Sequence, residues 1–169
     1  SNYKNFDSTN NLFTLNHIKK ELNDDLLILF SDVIIEKKLL KNCIDSPDDF
    51  NLIIDTNNVF EHTMRVKVLG NSIIDIGSHI DPQEGDGNFI GIAKISKEGS
   101  VILKEKVEEL CLTDAYVQDY YTLAFSKFVD DSIPVNYTSN ENKYYWKEID
   151  YLKDYEQAKK DIMNLKKNF

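Results

Sequence analysis

Helical and strand periodicities alternate along the chain, which predicts an α/β layered fold rather than a bundle or a sandwich. Leu12, Leu15, Ile18 and Leu22 recur at helical spacing behind Thr9, a candidate N-cap, and Asn23-Asp24-Asp25 closes that helix. Leu26 to Phe30 is a continuous apolar run, the pattern of a strand buried on both faces. Glu36 to Ile44 reads as a short helix and Phe50 to Asp55 as a second buried strand. Met64 to Leu69 alternates apolar with basic and Ser72 to Ile76 alternates again, so Gly70-Asn71 between them marks a hairpin with one solvated face. Asp81 to Gly87 gathers acids, Pro82 and two glycines and reads as a mobile loop. Phe89 to Ala93 is another buried strand, in which Gly91 permits close approach to the backbone. Two helices follow, over Lys97 to Leu112 and Asp114 to Val129; in the second, Val117, Tyr120, Tyr121, Ala124, Phe125 and Phe128 share a face. Strands around Val135-Tyr137 and over Tyr144 to Ile149 precede a closing helix marked by Leu152, Tyr155, Ala158, Ile162, Leu165 and Phe169. No repeat or linker interrupts this order, which predicts one domain over residues 1–169.

Composition then narrows the function. The 29 acidic and 20 basic side chains leave a net charge of −9, and with no Lys/Arg stripe a nucleic-acid duplex is excluded as the principal ligand. A nucleotide is not excluded, because carboxylates can hold a triphosphate through bridging Mg²⁺. No apolar run approaches the roughly 18 residues of a membrane span. Cys43 and Cys111 lack metal-ligand spacing and read as small apolar fillers in a reduced, cytoplasmic protein.

Chemistry is suggested where a buried strand stops at an acid. Leu26-Leu27-Ile28-Leu29-Phe30-Ser31-Asp32 puts Asp32 at the carboxyl end of a strand, the edge where open α/β sheets bind ligands. Trp146-Lys147-Glu148-Ile149-Asp150 does the same for Asp150. Two such carboxylates can share one Mg²⁺ against phosphate oxygens, although an Asp between a strand and a helix is equally the place of an N-cap. His17, His62 and His79 have no ligand-spaced partners, and Asp81, Glu84 and Asp86 lack calcium-loop spacing, so neither group is assigned a role.

The segment Leu27 to Leu40 resembles the strand-acid-helix segment of the sugar-phosphate and choline-phosphate nucleotidyltransferases. Trp146-Lys147-Glu148-Ile149-Asp150, with the helix after it, resembles that family's closing segment. Ser8 to Leu15, with Asn10-Asn11, is similar to the Thr-Asn-Asn helix start of the phosphocholine and phosphonate cytidylyltransferase branch. Gly87 to Ser96 is similar to the strand lining the acceptor pocket in that branch, which includes nucleotidyltransferase domains linked to phosphoenolpyruvate mutase. These four segments keep the family's order along nearly the whole chain.

The resemblance implies a Rossmann-like three-layer sandwich with a mixed, mostly parallel sheet. It implies an Mg²⁺-dependent enzyme that moves a nucleoside monophosphate, CMP from CTP, onto phosphocholine, 2-aminoethylphosphonate or a sugar 1-phosphate and releases pyrophosphate. Asp32 and Asp150 would be catalytic and hold Mg²⁺, and Asn10 and Asn11 would touch the nucleotide, though helix capping also explains one of them. Gly91, Tyr120, Tyr121, Trp146 and Glu148 would line the acceptor pocket; Tyr116, Tyr120 and Tyr121 could form an aromatic cage for a quaternary ammonium, while helical spacing already accounts for Tyr120 and Tyr121 as core. The family's opening Gly-rich loop, with its Arg and Lys, has no counterpart here, so the chain is expected to be roughly the carboxyl-terminal two-thirds of the family domain, with its amino-terminal part missing. The alternative is a non-catalytic, ligand-binding remnant of that fold.

Overall fold

The computed structural model describes residues 3–5, 7–57, 59, 63–141 and 143–165. His62 and Phe169 lie outside the described residues. In chain order the elements are α1 (Asn11–His17), β1 (Leu26–Leu29), β2 (Val33–Ile35), α2 (Lys37–Ile44), β3 (Phe50–Asp55), β4 (Arg65–Leu69), β5 (Ser72–Gly77), β6 (Gly87–Ile95), α3 (Lys97–Leu110), α4 (Thr122–Asp130), β7 (Asn136–Ser139), β8 (Trp146–Glu148) and α5 (Leu152–Leu165). No helix among the described residues is long and apolar enough to cross a membrane.

Alternation along the central strands builds the layers. Phe50, Leu52 and Ile54 of β3, with Phe89, Ala93 and Ile95 of β6, face α1, α3 and α4, where Leu12, Leu103, Val107, Phe125 and Phe128 complete the main core. Ile53, Ile90 and Ile92 face the other way, onto Leu39 and Cys43 of α2. Six strands run in the order β1-β6-β3-β7-β5-β4, with β6 also reaching β4. A two-stranded ribbon, β2-β8, stands apart from them.

The sheet is mixed, but its pairings are not mostly parallel: β3–β7 is parallel, while β1–β6, β3–β6, β4–β5, β4–β6 and β5–β7 are antiparallel. Unbroken apolar runs report cover on both faces, not direction, and β3 and β6 have that cover while opposing one another. Because β1 and β3 both oppose β6 and β7 follows β3, the strands β1, β3 and β7 nevertheless share one direction and one carboxyl edge.

Other departures have local causes. Among the described residues β1 pairs with β6 alone, and Leu29 is 47% exposed, so the apolar run at Leu26 is a half-covered edge strand rather than a doubly buried one. Asn10, not Thr9, caps α1. The helix expected from Asp114 starts only at Thr122, because backbone groups of residues 117–121 bond to the start of α1: the Asn10 N–H donates to the Val117 carbonyl at 2.9 Å, and the Tyr121 N–H donates to Asn11 Oδ1 at 2.7 Å. Arg65, placed by alternation on the solvated face of its hairpin, is buried, with Nε donating to the Ile80 carbonyl. The apolar stripe of α5 buries Ala158, but Leu152 and Tyr155 stay exposed.

Candidate active site

The β2-β8 ribbon gathers the acids. Its register sets Val33 opposite Glu148 and Ile35 opposite Trp146, and beyond it the Ile149 N–H donates to the Asp32 carbonyl at 2.9 Å. Asp32 immediately precedes β2, Glu148 ends β8, and Asp150 follows two residues later. One carboxylate oxygen from each of Asp32, Glu148 and Asp150 lies within 4.8 Å of the other two. Neither aspartate caps a helix: Glu36 occupies that position for α2, and α5 begins at Leu152. Asp32 and Asp150 are exposed and Glu148 is half-buried. Burial raises the Glu148 carboxyl above its ordinary pKa, and the charges of Asp150, Asp32 and Asp154 raise it further. The trio is therefore a concentration of negative charge, and three hard oxygen donors at this spacing fit Mg²⁺.

Two cavities meet at this point. The larger, about 470 Å³, is lined by Phe30, Met64, Phe89, Asp119, Tyr120 and Glu148, with His79 and Ser78 among the others. Its described ionisable lining is His79, Asp119, Tyr120 and Glu148, with no Lys or Arg. The smaller, about 370 Å³, is lined by Asp55, Thr63, Trp146, Lys147, Glu148, Asp150 and Asp154. Thr63 and Glu148 belong to both, so the acid trio stands where the cavities adjoin.

The structure thus brings together Asp32, Asp150, Glu148 and Trp146, and sets Tyr120 in the adjoining cavity. The other candidates go elsewhere. Tyr121 is buried, its ring edge-on to Phe30, Phe89 and Phe125 and its hydroxyl without a hydrogen-bond partner among the described residues. Desolvation pushes that phenol far above its usual range. Tyr116 packs against the same core, so the three tyrosines do not form a cage. Gly91 is approached by a side chain of its own fold: it has φ +83°, and a Cβ there would stand 2.4 Å from the Phe30 ring. Asn10 spends its side chain on the Asn11 N–H and the Gln118 carbonyl, while Asn11 Oδ1 takes the Tyr121 N–H.

Sequence reasoning missed two features of the site. Glu148 entered it only as an acceptor contact, whereas it is the third member of the carboxylate trio. Asp55 was overlooked although it too ends a buried strand, the same signal that singled out Asp32. Its carboxyl accepts the Trp146 indole N–H at 2.9 Å.

The sequence matches no family model, and no curated protein matches it either. The structure does have relatives in shape. The inositol-1-phosphate CTP transferase from T. maritima superposes with a TM-score of 0.69 at 19% identity, over 87% of this chain and 58% of that one. The CTP:phosphocholine cytidylyltransferase from Streptococcus pneumoniae gives 0.74 at 15% identity, over 95% of this chain and 67% of that one. A Bacillus anthracis protein assigned as a glucose-1-phosphate thymidylyltransferase gives 0.68 at 12% identity, over 87% and 58%. The fold is nucleotidyltransferase-like. This chain spans 58% to 67% of the length of those structures. Within the nucleotidyltransferase-like fold, Asp32 and Asp55 lie at the shared carboxyl edge of β1 and β3, where open α/β sheets bind ligands.

Proposed function

We propose that the protein is a nucleotidyltransferase that moves CMP from CTP onto a small phosphate or phosphonate acceptor. The observation that carries this reading is the convergence of Asp32, Glu148 and Asp150 at the carboxyl edge of a nucleotidyltransferase-like sheet, beside two cavities. In the reaction an acceptor oxygen forms a bond to the α-phosphorus of the triphosphate as the bond to pyrophosphate breaks. Such a transfer asks for positioning and charge neutralisation more than for covalent help. Asp32, Glu148 and Asp150 would hold Mg²⁺, which when bound offsets the charge of phosphate oxygens.

The chain's own residues choose the acceptor. Asp119 and Glu148 make the larger cavity anionic, Tyr120 supplies an aromatic face, and no Lys or Arg is present in its described lining. That chemistry suits a cationic head, as in phosphocholine or 2-aminoethylphosphonate, better than a sugar 1-phosphate. Tyr120 is the cage residue in this arrangement; Tyr121 is core. Both thiols are free, in keeping with the reducing cytoplasm as the compartment.

The test is pyrophosphate release by the protein as encoded, full length, from CTP and Mg²⁺ with each of the three acceptors. Release with the cationic acceptors, lowered by Tyr120→Ala through KM, supports the assignment. Preference for the sugar phosphate, unmoved by Tyr120→Ala, removes the cationic head. Binding of CTP without release under every condition establishes the non-catalytic alternative.

A further inference from the structure

The acid that ends β3 is not a member of the trio, yet it is tied to it. Asp55 is 5% exposed, and three N–H donors converge on its carboxyl: the Asn57 backbone at 3.0 Å and side-chain amide at 2.6 Å on Oδ1, and Trp146 Nε1 at 2.9 Å on Oδ2. A buried carboxyl is tolerated when its oxygens are satisfied in this way. Trp146 opens β8 and Glu148 closes it; two residues apart on a strand, they share a face.

Glu148 stands on, and Asp32 and Asp150 stand just beyond, a ribbon whose strands are three residues long, and a two-stranded ribbon has little stability of its own. Its attachments to the rest of the fold are of two kinds. Val33, Ile35 and Trp146 pack on the cluster around Leu39 and Ile53, and that contact is non-directional. Hydrogen-bonded ties are directional, and among the described residues the Tyr145 hydroxyl donates to Asp161 of α5 at 3.2 Å. The Asn140 N–H donates to the Ile54 carbonyl while its side chain holds Tyr144, fixing the entry to the ribbon. Asp55 holds Trp146 itself, on the face that carries Glu148. Apolar packing alone lets a short ribbon shift, whereas a metal site needs its donors placed to within about 0.5 Å.

We propose that Asp55 is a positioning residue: through the Trp146 indole N–H it fixes the β2-β8 ribbon where Asp32, Glu148 and Asp150 converge. This rests on the proposed role of the trio as an Mg²⁺ site and deepens it. Trp146→Phe keeps the ring and removes the N–H. Asp55→Asn keeps an oxygen for Asn57 and turns an amide toward the indole.

The experiment compares the native protein, both single variants and the double variant, full length. It measures Mg²⁺ affinity by calorimetry, amide exchange at Ile149, whose N–H bonds to Asp32, and the urea midpoint. Each single variant is expected to weaken Mg²⁺ binding about tenfold, the usual effect of removing an outer partner of a metal site. The double variant is expected to be no weaker than either single, because one bond is lost once. Ile149 exchange should quicken while the urea midpoint stays nearly constant; a merely structural role would lower the midpoint and leave the affinity of the folded protein unchanged. Unchanged affinity and exchange, or additive losses, overturn the proposal. If the native protein binds no Mg²⁺, the metal reading fails, and Ile149 exchange alone decides whether Asp55 holds the ribbon: faster in both singles and no faster in the double supports it, and unchanged refutes it. Trp146→Phe carries the test if Asp55→Asn does not fold.

Discussion

Placing alanine at Gly91 perturbs two things at once. The backbone there has φ +83°, and holding an L-residue in the left-handed region costs about 1–2 kcal/mol. The new Cβ would also stand 2.4 Å from Phe30 Cδ2, 2.7 Å from Cγ and 2.9 Å from Cβ, well inside contact distance. Phe30 is held on one side by the edge-on packing of its ring against Phe89 and Tyr121 at 5.9 Å in each case, while it also borders the larger cavity. Overpacking of this kind costs about 1–3 kcal/mol, so Gly91→Ala is expected to lower stability by about 2–5 kcal/mol in urea unfolding. Removing the ring separates most of the steric share: a Phe30→Ala background loses the contacts at 2.4 and 2.7 Å and keeps the Cβ contact at 2.9 Å. The same change should cost clearly less there, though no less than the backbone share of about 1–2 kcal/mol. Phe30 lies two residues before Asp32, so the single variant should also weaken any ligand of the acid trio. A loss below about 1 kcal/mol, or an equal loss with and without the Phe30 ring, would refute the clash and the steric role given to Gly91.

Two further substitutions probe the supports of the site. Asn11→Ala strands the Tyr121 N–H and is expected to cost about 1–3 kcal/mol, while Asn11→Asp keeps the acceptor and should cost less; equal losses in urea unfolding would contradict this. Glu148→Gln tests the crowding of the trio. A carboxyl whose folded-state pKa is raised contributes stability that is full below its unfolded value and is lost as pH rises through the raised one. At pH 7 the Gln variant should therefore melt above the native protein, with the gap closing on acidification below the ordinary value of 4.5; a gap independent of pH would contradict the assignment.

The sequence carried the site better than it carried the layers. Asp32 and Asp150 were legible because an apolar run that ends abruptly at an acid marks the edge of a sheet, and the structure brings their carboxylates together. The pairing that does so was not legible. Val33-Ile34-Ile35 is too short to show a period, and its partner at Trp146 lies more than a hundred residues away. Tyr120 and Tyr121 kept helical spacing outside any helix, because tertiary bonds from Asn10 and Asn11 captured the backbone before α4. Strand direction in β3 and β6 was hidden for a similar reason, since helix cover on both faces erases the alternation that an antiparallel strand usually shows.

The most direct test of nucleotidyl transfer at the acid trio is the rate of pyrophosphate release from CTP and phosphocholine, in the full-length protein and in its Asp32→Asn and Asp150→Asn variants, across a range of Mg²⁺ concentrations. Each variant keeps its side chain's shape and loses its charge. The account predicts a saturable Mg²⁺ dependence in the native protein and a fall of at least about a hundredfold in both variants, the scale expected when several kcal/mol of charge stabilisation is removed. Either variant retaining the native rate with the native Mg²⁺ dependence would contradict it.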